Sequence, residues 1–143
     1  MTTNLRSIIS KQVITVGLKA PLKKIIEVME DNNINHLPVI GDENMIVGII
    51  SKHDIYRNLL RLTINTTGKT YSEKSMATIL AEEIMTMDVV ELSPDDDISK
   101  ATEILMLGEF HACPIVENYK VIGIVTAKDI MGYLTKNAIP LAK

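Results

Sequence analysis

The sequence contains an internal repeat, and this duplication limits the possible folds more than any other feature of the chain. A shift of 76 residues aligns residues 5–38 with residues 81–114 without a gap. After the prolines that end these segments the shift becomes 75, and residues 48–55 align with residues 123–130. A chain of 143 residues has the size of one compact domain or of two half-domains packed together. The duplication therefore predicts two half-domains, each docked on its twin.

The repeats are separated by a segment of different composition. Residues 63–77 are rich in Thr and Ser, include Asn65 and Gly68, and show no apolar periodicity. Small polar residues of this kind are typical of a surface connection. We therefore predict a first repeat over residues 5–62, a linker over residues 63–77 and a second repeat over residues 78–136.

The apolar periodicity predicts the same elements in both repeats. Leu22, Ile25, Ile26 and Met29 lie at the spacing of an amphipathic helix, which follows Pro21. Two short β-branched runs then predict a hairpin, and a second helix begins at Ser51. A short strand precedes each unit, so each repeat has the order β-α-β-β-α and the fold class is α+β. The predicted ranges are 13–16, 22–29, 37–40, 45–50 and the helix from 51 in the first repeat, and 89–92, 98–107, 113–116, 121–125 and 126–135 in the second.

Composition and charge argue against several classes of protein. The chain has 15 basic and 18 acidic residues, a net charge of −3, and no basic tract, which argues against binding to nucleic acid. Only five residues are aromatic, so platforms for base stacking are not expected. The apolar runs are too short to span a bilayer, and the N-terminus does not resemble a signal peptide. These features predict a soluble, cytoplasmic protein.

Residues suited to catalysis or to metal binding are few. The three histidines and one cysteine form no HExxH or CxxC motif, and no serine lies in a GxSxG turn. Cys113 lies in an apolar run beside Pro114, where a thiol usually serves packing. We therefore predict that the chain is not an enzyme, since a weak hydrolase would need a nucleophile or base that the sequence lacks. No metal and no required cofactor are expected.

One short motif occurs at the same place in both repeats. A glycine, two aliphatic residues, a hydroxyl residue, two further residues and an aspartate occupy residues 48–54 and 123–129. The structural interpretation is that Ser51 and Thr126 cap the following helices and that Asp54 and Asp129 complete capping boxes. The functional interpretation is that the helix N-terminus receives a phosphate while the carboxylate accepts the hydroxyls of a ribose. The glycine would allow a ligand or a neighbouring segment to approach the strand, or would mark an irregularity in it.

The duplicated pattern resembles the tandem cystathionine-β-synthase (CBS) domain pair, or Bateman module. The resemblance rests on the motif of residues 48–55 and 123–130, on the Ile84-Met85-Thr86 segment, and on the two Pro-containing steps that open the hairpins, at residues 36–39 and 112–115. It covers both repeats almost end to end. It implies a pseudo-twofold disc with a cleft on each side that binds adenosine-containing ligands such as AMP, ADP, ATP or S-adenosylmethionine, and it implies homodimers.

The resemblance also assigns roles to individual residues. Asp129 and Asp54 would hold the ribose hydroxyls, and Thr126 and Ser51 would lie near the ribose and phosphate. Other positions would contact the adenine edge, form apolar walls or face phosphate. The backbone at Ile14 and Val90 is assigned to the adenine edge, the side chains of Val13, Val89, Pro38 and Pro114 to the walls, and His36, Asn35 and His111 to phosphate, with Lys128 and His53 as further sources of charge.

The two predicted clefts are unequal. Ala112 occupies the position that His36 has in the first repeat, and neither repeat has an arginine near the positions assigned to phosphate. A monophosphate or a nucleoside-type ligand is therefore favoured over a triphosphate. The Thr126–Asp129 cleft is favoured over the other, because Lys128 and His111 belong to the same repeat.

The helix predicted over residues 98–107 is apolar over more than one core-facing stripe. Ala101, Ile104, Leu105, Met106 and Leu107 contribute to this extra face, which either packs under the linker or forms a dimer contact. The leading hypothesis is a regulatory module that binds an adenosyl ligand and signals to an unknown protein partner. The alternative is a structural dimerisation module in which the S/T-x-x-D motifs are only helix caps.

Overall fold

The computed structural model describes residues 3–9, 12–65 and 73–137. The contacts divide the chain into two compact units. The first unit is Ile14–Asp88, and the second combines Met1–Val13 with Val89–Lys143. Each unit has its own mixed α+β fold and its own apolar core.

The first unit is built on a three-stranded sheet. Its strands lie in the order β1-β2-β3, with β1 parallel to β2 and β2 antiparallel to β3. The apolar stripe of α1 supplies Leu22, Ile25 and Met29 to the core, which also contains Leu37 and Ile50 from the sheet. The elements are β1 Val16–Gly17, α1 Leu22–Asn32, β2 His36–Ile40, β3 Ile46–Ser51, α2 Lys52–Asn65, α3 Glu73–Thr78 and α4 Ala81–Ile84.

The second unit is built on an antiparallel hairpin. Strands β4 and β5 pair from Ala112 opposite Thr126 to Glu117 opposite Lys120. Its core joins this hairpin to the two helices and to the N-terminal segment, with Leu5, Leu92, Ala101, Cys113, Ile115, Val125 and Ile130 buried. The elements are a 3₁₀ turn Leu5–Ser7, α5 Ile98–Met106, β4 Ala112–Glu117, β5 Lys120–Thr126 and α6 Ala127–Asn137.

The one-residue difference between the repeats lies in the hairpin loops. In the first unit a 3₁₀ turn, Asp42–Asn44, connects the strands. In the second unit Asn118 and Tyr119 alone connect them, and both have positive φ, at 54° and 66°. This is the backbone of a type I′ turn, which matches the twist of an antiparallel pair. The deletion therefore lies in the loop, and β4 and β5 are each one residue longer than β2 and β3.

The segment that leads into each repeat packs in the compact unit of the other repeat. Residues 79–86, which lead into the second repeat, belong to the first unit. There the Leu22 N–H donates to the Ile79 carbonyl over 2.7 Å, and Ile49 exchanges two backbone hydrogen bonds with Thr86. The N-terminal segment belongs to the second unit, where the Leu5 N–H donates to the Asp96 carbonyl over 2.9 Å. Sequence repeats and compact units are therefore two different divisions of this chain.

Some predicted elements are shorter than expected. Of the predicted strand 13–16 only Val16 is in β1, and of the strand 89–92 only Leu92 pairs, as an isolated bridge to Ile115. In the predicted linker, residues 63–65 end α2, residues 73–77 lie in α3, and residues 66–72 are outside the described residues.

Helix α5 has the broad apolar surface that the sequence predicts. Ala101 is fully buried, and Ile104 and Leu105 are partly buried against the core. Met106 and Leu107, at its C-terminal end, remain 79% and 75% exposed. The core therefore covers only part of the apolar surface of this helix.

Candidate functional site

The repeated motif forms the same strand-to-helix corner in each unit. We name these the Asp54 corner (Ser51 to Asp54) and the Asp129 corner (Thr126 to Asp129). Ser51 is the last residue of β3 and Thr126 the last of β5, so each hydroxyl residue stands at the N-terminus of a helix. Each corner therefore offers a hydroxyl and a carboxylate at the positive end of a helix dipole.

Reciprocal hydrogen bonds close a capping box at both corners. The Ser51 N–H donates to Asp54 Oδ2 over 2.8 Å, and the Asp54 N–H donates to Ser51 Oγ over 3.0 Å. The Thr126 N–H donates to Asp129 Oδ2 over 2.8 Å, and the Asp129 N–H donates to Thr126 Oγ1 over 3.3 Å. In both boxes the hydroxyl also lies 3.0 Å from the same Oδ2 atom. The structural interpretation of the motif is therefore confirmed in both repeats.

The second carboxylate oxygen distinguishes the corners. Asp129 is exposed, and within the described parts of the chain no donor reaches its Oδ1 atom. Asp54 is only 4% exposed, and its Oδ1 atom accepts from the Arg57 guanidinium and, over 3.3 Å, from Thr86 Oγ1. The helix cap uses one oxygen in each corner, but only Asp129 keeps the other oxygen open.

The glycine of each motif allows a neighbouring segment to cross the strand. A Cβ atom on Gly48 would lie 2.7 Å from Met85 Sδ and 2.9 Å from the Thr86 carbonyl oxygen. A Cβ atom on Gly123 would lie 2.6 Å from Ile9 Cγ2. The strand register also shifts beside both glycines, between Val39 and Ile40 and at the matching place in β4. Close approach and strand irregularity, which the sequence leaves as alternatives, therefore occur together.

A family model named "CBS domain" matches the chain twice, over residues 5–61 and 81–136. The two matches together cover most of the 143 residues and include both corners. The chain belongs to the CBS domain family. The resemblance seen in the sequence is thus confirmed, together with the α+β fold of two CBS repeats.

Similar proteins include solved CBS domain pairs and longer chains. The CBS domain pair of protein MJ0100, solved with 5′-methylthioadenosine and S-adenosyl-L-methionine, is 27% identical, with a TM-score of 0.76 over 95% of this chain and 98% of that one. Protein MJ1225 of Methanocaldococcus jannaschii, described as a putative archaeal homolog of γ-AMPK, is 28% identical, with a TM-score of 0.77 over 93% of this chain and 48% of that one.

Among curated relatives, a homoserine O-acetyltransferase of Methanohalobium evestigatum is 28% identical over 129 residues, which are 90% of this chain and 23% of the relative. The chain spans less than half the length of the first curated relatives it matches. Its similarity to enzymes is therefore confined to a part of each enzyme, and CBS domain pairs are themselves regulatory modules.

The CBS strands bring some of the other predicted site residues to the corners. His36 pairs with Ser51 across β2 and β3, and His111 directly precedes Ala112, which pairs with Thr126. His36 is partly buried, whereas His111 and Lys128 are exposed. The remaining positions differ in burial: Val13, Ile14, Val89 and Val90 are partly buried, Asn35 and His53 are exposed, and Pro38 and Pro114 are fully buried.

The residue that sequence reasoning missed at the CBS corners is Arg57. No arginine was expected near the phosphate positions, yet Arg57 lies one helical turn after Asp54 and pairs with its carboxylate. The i,i+3 spacing of opposite charges on a helix is the signal that could have identified it.

Metal binding, thiol chemistry and membrane insertion find no support in the described residues. Among them, no group of three or more His, Cys, Asp or Glu side chains is arranged to hold a metal ion. Cys113 is fully buried, and this burial raises the pKa of its thiol, which favours the protonated, unreactive form. No helix in this part of the chain has both the length and the apolarity that a membrane span requires.

Proposed function

We propose that this CBS domain pair is a regulatory module that binds an adenosine-containing ligand at the Asp129 corner. The observation that carries the proposal is the open Oδ1 atom of Asp129, beside a capped helix N-terminus. A ribose diol offers two O–H donors, and a free carboxylate oxygen has two lone pairs to accept them. Thr126 and the first turn of α6 would lie next to the bound sugar and its 5′ substituent.

The similarity to protein MJ0100 supports the ligand class. That CBS domain pair, 27% identical over 95% of this chain, was solved with two adenosyl compounds, 5′-methylthioadenosine and S-adenosyl-L-methionine. Neither ligand carries a phosphate, in keeping with the few cations expected around the corner. We propose that a nucleoside-type or monophosphate ligand binds more tightly than ATP.

Isothermal titration with 5′-methylthioadenosine, S-adenosylmethionine, AMP and ATP tests this function. Asp129→Asn keeps one oxygen for the capping box but replaces the other with an amide NH₂, which cannot accept a ribose hydroxyl. We expect micromolar binding to wild type, and a loss of at least about 100-fold in this variant, because one good acceptor pair contributes on the order of 3 kcal/mol.

Asp96→Asn is the matched control. Asp96 holds a turn, in which the Ser93 N–H donates to Asp96 Oδ2 over 2.8 Å, and it also pairs with Lys100 over 3.4 Å. The same substitution therefore alters the same kind of N–H to carboxylate bond at a place with no proposed ligand. The affinity of the Asp96→Asn variant for each of the four compounds should equal that of wild type. Silence of wild type toward all four compounds would contradict the proposed function.

A structural dimerisation module is the second candidate function, and the Asp54 corner favours it. The carboxylate there is fully occupied by contacts within the chain, so its motif already has a structural explanation. A module of this kind would dimerise without binding any of the four compounds.

We also propose that the protein forms a homodimer through the exposed end of α5. Met106 and Leu107 are large, apolar and mostly exposed, and a second copy would cover them. Light scattering after size-exclusion chromatography should show a dimer for wild type and a monomer for Met106→Lys/Leu107→Lys. Tyr119→Lys, at the equally exposed tip of the β4–β5 hairpin, is the control and should remain dimeric.

Regulation requires that the ligand favour one arrangement of the module over another. A ligand can shift such an equilibrium only by its difference in affinity for the two arrangements. We propose that an unidentified protein partner responds to this shift. The partner is to be sought by comparing co-purified proteins with and without saturating ligand, since a partner that reads the ligand must change in abundance between the two samples.

A further inference from the structure

The helices that follow the two corners differ at one equivalent position. Arg57 lies three residues after Asp54, and Gly132 lies three residues after Asp129. The Arg57 guanidinium pairs with Asp54 Oδ1, whereas Gly132 has no side chain that could reach Asp129. The two corners therefore differ in part because the first repeat has an arginine where the second repeat has a glycine.

The Asp54 carboxylate has no remaining capacity to accept hydrogen bonds. A carboxylate has about four lone-pair sites, two on each oxygen. At Asp54 the Ser51 N–H and hydroxyl occupy Oδ2, while Arg57 and the Thr86 hydroxyl occupy Oδ1. At Asp129 the equivalent Thr126 groups occupy Oδ2 only. A ribose diol therefore meets two open sites at Asp129 and must displace an existing donor at Asp54.

We propose that Arg57 is a specificity-determining residue that closes the Asp54 corner to ribose diols and so directs adenosyl ligands to the Asp129 corner. This inference rests on the proposed function and adds to it the choice between the repeats. Arg57 acts as an internal competitor, since its cationic N–H group occupies the oxygen that a sugar hydroxyl would use.

The side chains at the Asp54 corner identify Arg57 as the group that a ligand must move. The Arg57 side chain is 49% exposed, so it can turn into solvent, whereas the Asp54 side chain is 6% exposed and held by the capping box. Displacing Arg57 breaks a charge-assisted hydrogen bond, which is stronger than a bond between neutral groups. We expect this competition to weaken diol binding about tenfold or more.

Substitutions at positions 57 and 132 can remove the competing arginine from the Asp54 corner or add one to the Asp129 corner. Arg57→Ala removes the competitor and keeps a good helix former, and Arg57→Lys retains a cation that can still pair with Asp54. Gly132→Arg places the competitor after Asp129. Apart from its chain neighbours and the backbone of its own helix, no atom of the described residues lies within 4 Å of a Cβ atom placed on Gly132, so the new side chain has room. Thermal melts of each variant check that the fold is retained.

Isothermal titration with 5′-methylthioadenosine, which carries no phosphate, measures the number of sites and their affinities. Wild type and Arg57→Lys should bind about one ligand per chain, whereas Arg57→Ala should gain a second site. Gly132→Arg should weaken the wild-type site about tenfold. Repeating the Arg57→Ala titration with AMP and 2′-deoxy-AMP tests the contact itself, since the gained site should prefer the ribose compound.

The outcomes separate this inference from the proposed function. If wild type binds one ligand, and neither Arg57→Ala nor Gly132→Arg changes stoichiometry or affinity, the role of Arg57 is rejected and the function stands. Equal binding of AMP and 2′-deoxy-AMP at the gained site also rejects it. If wild type binds no ligand but Arg57→Ala does, the role of Arg57 at the Asp54 corner is supported and the proposed site at Asp129 is rejected. Silence of every variant rejects both proposals.

Discussion

The Asp54 and Asp129 corners have the same local hydrogen bonds but different surroundings. Both close an S/T-x-x-D capping box with the same atoms and nearly the same distances. At Asp54 two more donors, from α2 and from the segment that crosses β3, cover the carboxylate. At Asp129 the carboxylate remains exposed. A duplicated motif can therefore keep its structural role in both copies while only one copy keeps an acceptor free for a ligand.

The difference also explains why the motif alone cannot decide between a cap and a binding site. One carboxylate oxygen is sufficient for the cap, so the role of the other depends on residues outside the motif. In the first unit those residues are Arg57 and Thr86. Stability should consequently depend strongly on Asp54, and ligand binding should depend on Asp129.

The largest expected difference in stability follows from replacing each aspartate by alanine. Asp54→Ala leaves the Ser51 N–H without its partner and the Arg57 guanidinium unpaired, so we expect a loss of about 2 to 3 kcal/mol in the free energy of unfolding. This figure is below the range for fully buried pairs because Arg57 is half exposed. Asp129→Ala removes only an exposed cap and should cost about 1 kcal/mol.

Urea unfolding followed by circular dichroism measures both losses. The double variant Asp54→Ala/Arg57→Ala is the control for the unpaired charge, and it should be more stable than Asp54→Ala alone. Equal losses at the two aspartates would show that the burial of Asp54 contributes nothing to stability.

The second prediction compares the glycines at which neighbouring segments cross the strands. In Gly48→Ala the new methyl group would meet the backbone carbonyl of Thr86, which is fixed by its pairing with Ile49. We expect a loss of about 2 kcal/mol, in the range for overpacked sites. In Gly123→Ala the obstacle is the Ile9 side chain, which can move, so a loss of about 1 kcal/mol is expected.

The control for the glycine pair is Gly132→Ala in α6. Outside the neighbouring residues and backbone of α6, no described atom lies within 4 Å of the position that the new methyl group would take. Alanine is also the better helix former, so this variant should gain about 0.5 to 1 kcal/mol. Thermal unfolding of the three variants under one buffer condition ranks them. A larger loss at Gly123 than at Gly48 would mean that Ile9 is held more rigidly than the Thr86 backbone.

Much of the fold could be predicted because it depends on patterns within short stretches of sequence. The spacing of Leu22, Ile25 and Met29 identifies the buried side of α1, and the hydroxyl and acidic residues three apart identify both capping boxes. The I′ turn at Asn118 and Tyr119 is also local, since it absorbs the one-residue deletion.

The rest depends on contacts between distant segments, which the periodicity does not encode. The segment that leads into each repeat is held in the unit of the other repeat by backbone hydrogen bonds, such as that from the Leu22 N–H to the Ile79 carbonyl. Because nearly every residue has the same backbone groups, the sequence does not show which segments these bonds join. The hydrogen bond from the Thr86 hydroxyl to Asp54 Oδ1 depends on this packing, because the bridge to Ile49 holds Thr86 against β3. The i,i+3 spacing in the sequence could have predicted the pairing of Arg57 with Asp54. The sequence does not show that Asp54 is buried, and the effect of Arg57 on access to this carboxylate depends on that burial.

The smallest expected effect concerns the two leading segments and their response to acid. In the second unit Arg6 pairs with Glu117 and, over 3.3 Å, with Asp95. The hydrogen bond from Arg6 lowers the pKa of Glu117 below its ordinary value of 4.5. A carboxylate whose pKa is lower in the folded chain contributes stability above its unfolded pKa, and this contribution is lost as the pH falls through the folded pKa. The N-terminal segment should therefore loosen below about pH 4.5.

Amide hydrogen exchange resolves this effect residue by residue. The N–H groups of Leu5 and Arg6, bonded to the carbonyls of Asp96 and Pro94, should lose about threefold in protection factor between pH 7 and pH 4, as befits an exposed ion pair. In Glu117→Gln the protection should already be reduced at pH 7 and should change less with pH. The Thr86 N–H, bonded to the Ile49 carbonyl in the first unit, is the internal reference. An acid response of Leu5 and Arg6 that persists unchanged in Glu117→Gln would assign it to another carboxylate that contacts this segment. The next to replace is Asp97, which forms a bridge with Asn4 and whose pKa is lowered by its hydrogen bond from Ser99.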